Sequence, residues 1–139
     1  MAVDDLADAI AGFSLFADMS TPEREHVVDV FTEQWFGDGE KILRQGLSGS
    51  GLYIIIDGSA AIRIDGVDRT TLRAGDFFGE ISCLLGEPPT ADIVAIGQLR
   101  CLVLALTNVE SFLKANPKVM YRILQGEARK VRTTTKWLS

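Results

Sequence analysis

Apolar residues change their spacing twice along the chain. Over residues 4–17, Leu6, Ile10, Phe13 and Phe16 recur at intervals of three and four, the period of a helix with one buried face, interrupted near Gly12. Thr21-Pro22-Glu23 predicts a second helix, with Thr21 as cap, proline in the first turn and an acid beside it. Val27, Val28, Val30 and Phe31 give that helix an apolar side. Beyond Thr32 the helical period is lost. Short β-rich runs at 40–44, 52–57, 60–64, 67–72, 90–96 and 99–106 are separated by glycines, which predicts a sandwich or barrel-like roll. The helical period then returns. Thr107-Asn108-Val109-Glu110 reads as a capping box with Thr107 as cap, opening a short helix to about Ala115. Asn116-Pro117 starts a longer helix, with Asn116 as cap. On it Val119, Met120, Ile123, Leu124, Ala128 and Val131 form a stripe suited to core packing, or to a seam with a second copy. The pattern divides one domain into a helical segment 1–32, a roll 33–106 and helices 107–139.

At 139 residues and 47% hydrophobic, the chain has room for one domain with one core. Its net charge of −5 argues against nucleic acid as the main partner. The charge is uneven, however. Up to Leu113 there are 7 Lys and Arg against 18 Asp and Glu; from Lys114 onward, 7 basic residues face Glu127 alone. A solvated helix complementing an acidic body, or a basic face for a partner, would both give this pattern. Cys83 and Cys101 lack CxxC spacing and lie in apolar surroundings, so reduced, buried thiols are expected. No apolar run reaches membrane-spanning length and the N-terminus is acidic, unlike a signal peptide; the expected location is the cytoplasm.

Catalytic and metal chemistry find no footing. His26 is the single histidine and precedes the roll, so a cupin-like metal site would lack ligands and a Ser or Cys nucleophile would lack a base. Neither catalytic nor metal-binding residues are assigned. One segment does suggest anion binding. Gly79 would let the backbone approach a ligand closely, and a short helix from Glu80 to about Gly86 would aim unpaired amides at it.

Several motifs carry a resemblance. Phe36-Gly37-Asp38-Gly39-Glu40 through Gly46 resembles the first hairpin of the cyclic-nucleotide-binding domain family, and Leu52 through Ser59 its next strand and turn. Phe78-Gly79-Glu80-Ile81, followed by Leu84-Leu85-Gly86 and a proline, resembles that family's phosphate-binding cassette, here placed at 76–92. The match extends over about residues 13 to 135. It implies a mainly β fold with flanking α: an eight-stranded antiparallel β-roll of the double-stranded β-helix or jelly-roll type. N-terminal helices and a short plus a long C-terminal helix complete it. It also implies that Phe78, Gly79, Glu80, Ile81, Ser82, Pro89, Thr90 and Ala91 bind the ligand, with Glu80 accepting from the ribose hydroxyl.

The cassette departs from the family at one position. Where the family commonly has Pro-Arg followed by a small residue and Ala, this chain has Pro88-Pro89-Thr90-Ala91, so the arginine that clamps the cyclic phosphate is replaced by Pro89. Proline supplies no charge and no donor, and removing such a charge partner typically costs about 2–5 kcal/mol. Arg63, Arg69, Arg73 and Arg100 are the alternatives considered, although arginines on outer strands are usually solvated. Asn116-Pro117 and Ala128-Arg129-Lys130-Val131 resemble the matching helix of bacterial catabolite-activator-type regulators. That alignment puts Thr134 and Thr135 beside the adenine, with Trp137 capping the ligand or packing on a partner. The resemblance implies a stand-alone, non-enzymatic regulatory module. It would bind cAMP, cGMP or a related ligand, need no other cofactor, and relay binding through the 117–137 helix to a second copy or a partner protein. A degenerate roll serving only dimerisation or docking is the alternative that Pro89 favours.

Overall fold

The computed structural model describes residues 3–47 and 51–135. Helices α1 (Val3–Ile10) and α2 (Thr21–Val30), joined through a 3-10 turn at Ser14–Phe16, lead into strands β1 (Thr32–Phe36), β2 (Lys41–Leu43), β3 (Gly51–Ile64), β4 (Val67–Arg73) and β5 (Phe77–Phe78). The short helix α3 (Glu80–Leu85) follows, then β6 (Asp92–Ala105) and helices α4 (Leu106–Ala115) and α5 (Pro117–Thr135). Every strand pairing is antiparallel. The order is β1-β6-β3-β4, with β2 added on β6 and β5 on β3.

A mainly β sheet with flanking helices matches expectation, but the described residues form six strands rather than eight. The runs at 52–57 and 60–64 are one strand, β3, and those at 90–96 and 99–106 are one strand, β6. The two keep pairing past Gly58 by shifting register around Asp57, so the glycine bends the ribbon without ending it. Period-2 alternation then divides the core. Leu52, Ile54, Ile56, Leu102 and Leu104 face a cluster built with α1, α2, α4 and α5, whereas Tyr53, Ile55, Cys101 and Val103 face the roll interior. Both faces of the central strands are therefore buried, which explains the unbroken apolar run Leu52–Ile56.

Two helix starts differ from the sequence reading. Ser20, not Thr21, caps α2: its hydroxyl accepts from the Glu23 amide at 3.3 Å and Glu23 Oε1 accepts from the Ser20 amide at 2.9 Å. Thr21 is already helical, and its hydroxyl accepts instead from Arg24. At α4, strand β6 runs directly into the helix, so Ala105 is the N-cap without a side-chain bond and Thr107 lies inside the first turn. Glu110 forms an exposed pair with Lys114. Asn116 uses its side-chain amide to donate to the Phe112 carbonyl at 2.9 Å, and its own carbonyl receives the first amides of α5. Of the α5 stripe, Val119 and Ile123 are buried; Met120, Leu124 and Val131 are exposed. Among the described residues no helix is long and apolar enough to cross a membrane.

Candidate functional site

The cassette segment is aimed by packing against β3. Phe78 pairs with Tyr53 in the sheet, and their rings stack with centroids 4.8 Å apart. Gly79 follows at φ +86°, a left-handed conformation, and a Cβ there would meet the Gly51 carbonyl oxygen and the Tyr53 ring. Only glycine fits both restrictions. The turn at Gly79 starts α3 from inside the roll, so that Glu80, its first residue, is buried.

The chain returns through Pro89, Thr90 and Ala91. The Pro89 carbonyl accepts from the Gly46 amide at 2.9 Å, and three residues on Asp92 Oδ1 accepts from the Gln45 amide at 2.7 Å. The Gln45 amide, together with Lys41 at 3.2 Å, holds the Asp92 carboxyl below its ordinary range. Asp92 is thereby turned to the 41–45 side and contributes nothing to the cavity described next.

A cavity of about 390 Å³ lies between this segment, the roll and α5. Phe78, Gly79, Glu80, Ile81, Ser82, Pro89, Thr90 and Ala91 all stand on its wall. Arg63, Arg69, Arg73 and Arg100 do not. Arg63 pairs with Asp68 at 2.7 Å; Arg100 is buried elsewhere, bonded to Glu33 and 5.4 Å from the centre of the Trp35 ring. Thr134 and Thr135 occupy the last turn of α5, but their side chains lie outside the described residues, as does Trp137.

The resemblance placed the last helix over the ligand through Thr134 and Thr135, but not the residues that form the opposite wall here. That wall is one face of α5, carrying Arg122, Gly126, Arg129 and Lys130 at helical spacing. Gly126 permits close approach, because a Cβ there would sit 3.1 Å from the Phe77 ring. Lys130 Nζ lies 3.1 Å from Glu80 Oε1 and 3.2 Å from Glu127 Oε1, and 5.2 Å from the centre of the Phe77 ring. Glu80 is 5% exposed, and its other oxygen, Oε2, is shielded from solvent with no donor among the described residues. Burial pushes the Glu80 carboxyl above its ordinary range; Lys130 opposes the rise and the Glu127 carboxyl adds to it. Arg122 is bonded at 2.8 and 2.9 Å to both oxygens of Asp18, and holds that carboxyl below its usual range. The only signal for the residues of this wall was the spacing i, i+4, i+7, i+8 of basic and small residues on α5.

A buried carboxylate short of a donor suits a hydroxylated ligand, since such groups are otherwise avoided. Of the two free cysteines, both expected to be buried, Cys83 is only partly so; Cys101 is fully buried and its thiol is pushed up to about 12 by burial.

A family model described as the cyclic nucleotide-binding domain matches residues 33–116. The chain belongs to that family. Among solved structures, the cAMP-bound PfPKA-R fragment 141–441 is similar over 98% of this chain, at 26% identity and a TM-score of 0.82. The regulatory domain of Toxoplasma gondii PKA with cAMP is similar over 92%, at 25% identity and 0.77. The Thermus thermophilus catabolite activator protein is similar over 89%, at 26% identity and 0.81. The chain spans 47%, 50% and 61% of those three, respectively.

Proposed function

We propose that this cyclic-nucleotide-binding domain senses cAMP or cGMP in the cavity between the cassette and α5, and relays occupancy by moving α5. The observation that carries the reading is Glu80, a buried acceptor with one oxygen lacking a donor and the other tied to Lys130 of α5. A ribose hydroxyl supplies the missing donor at Oε2, and because that oxygen is closed to solvent, admitting the hydroxyl requires the wall around Glu80 to shift. Ligand and helix therefore meet on one carboxylate, and a position of α5 that opens Oε2 to the hydroxyl favours the ligand over one that covers it, which is the differential affinity that a relay requires. The Thr90 hydroxyl on the same wall adds a further donor. No side chain here is assigned a catalytic role. The exposed Met120, Leu124 and Val131 on α5 support a second copy or partner protein as the receiver of that motion.

Thermal unfolding with cAMP, cGMP and cyclic dinucleotides at up to millimolar concentration tests the reading. Ligand at about 100 times its Kd adds about 2.7 kcal/mol of stability. Glu80→Gln should weaken binding by about 10- to 100-fold, as expected for losing a hydrogen bond to a charged group. No shift with any nucleotide would leave a roll that serves only for docking.

A further inference from the structure

Among the described residues the cavity's positive charge comes entirely from α5. Its charged wall residues are Asp76, Glu80, Arg122, Arg129 and Lys130, and Pro89 leaves the cassette side without a cation. Two of the three cations are engaged. Arg122 holds both oxygens of Asp18, and Lys130 bridges Glu80 and Glu127. Arg129 forms no side-chain hydrogen bond or ion pair among the described residues, and it is exposed. It stands one turn beyond Gly126, whose lack of a side chain lets α5 pass close over Phe77 at the edge of the cavity.

We infer that Arg129 supplies, from α5, the guanidinium that Pro89 removes from the cassette, and so clamps the anionic group of the nucleotide. The inference rests on the cyclic-nucleotide reading of the cavity. A guanidinium presents paired donors in a planar fork that fits two phosphate oxygens, which an ammonium does not. The arrangement also changes what the anion reports. In a cassette arginine the phosphate contact stays within the roll; with Arg129 it spans from the roll to the helix, so the charge of the ligand itself draws α5 inward.

Calorimetric titration of the whole chain with cAMP and with adenosine, at one fixed ionic strength, separates the charge from the rest of the ligand. Arg129→Gln should weaken cAMP about tenfold or more and leave adenosine unchanged. Arg129→Lys, which keeps the charge without the fork, should fall between. Adding Pro89→Arg to Arg129→Gln should restore cAMP binding. Equal cAMP affinity in wild type and Arg129→Gln would overturn the assignment of Arg129 and leave the cyclic-nucleotide reading standing. Equal losses for cAMP and adenosine would overturn it too, because that is the signature of a disturbed helix. A wild-type chain that binds adenosine but no more tightly cAMP would remove the anion clamp alone; one that binds neither removes both.

Discussion

The two walls of the cavity are built on different principles. The cassette wall is held by backbone: Gly79 against the Gly51 carbonyl, Phe78 stacked on Tyr53, Pro89 fastened to Gly46. The α5 wall is a row of long charged side chains on one face of a single helix, tied by ion pairs to Asp18 and Glu80 and by the close passage of Gly126 over Phe77, while Val119 and Ile123 anchor the first half of the helix in the core. Shape therefore resides in the wall built from backbone, and positive charge in the wall built from side chains of α5. On the proposed reading, one side would select the size of a ligand and the other its charge.

Breaking the rigid wall should have the largest effect. Gly79→Val forces a β-branched residue into a left-handed conformation against a carbonyl oxygen, and should destabilise the domain by about 3 kcal/mol or more in urea unfolding. An intermediate effect is expected where the walls join. Burial raises the Glu80 carboxyl above 4.5, so as pH rises from there the unfolded chain releases its proton before the folded one does. Stability contributed by this group is present below that value and is lost as pH climbs through the raised folded value. Affinity for a ribose hydroxyl should move oppositely, strengthening as the carboxylate forms. Melting curves and titrations at matched pH would show the two slopes with opposite signs in the wild type and neither in Glu80→Gln. The smallest effect belongs to the helical wall. Gly126→Ala gains up to about 1 kcal/mol in helix propensity but displaces Phe77, so net stability should change by less than about 1 kcal/mol. Nucleotide affinity should nonetheless fall measurably as α5 is lifted from the cassette.

The rigid wall was legible in the sequence because its constraints are local. Gly79, Glu80 and the return through Pro89 lie within a dozen residues, and the same backbone demands produce the same short motif. The helical wall was expected in place but not in its residues, because those depend on which face of α5 meets the roll. Glu80 and Lys130 are 50 positions apart, and Asp18 and Arg122 are 104 apart. Nothing at either end announces the other. The strand count went astray at Gly58 for a related reason. A glycine looks like punctuation when read along the chain, but β3 continues through it because β6 supplies partners on the far side. The helix caps show the reverse limit, since Ser20 and Thr21 are both competent caps and a shift of one residue in the chain's entry into α2 selected Ser20.

Glu80 has one more consequence, for attempts to engineer or evolve this domain. A buried acid with an unsatisfied oxygen is a weak point, and well-packed apolar replacements at such positions often raise stability. Selection for heat tolerance alone would therefore tend to replace it. The winning variants would be sturdier and deaf, having traded the single side chain that both walls share for an ordinary piece of core.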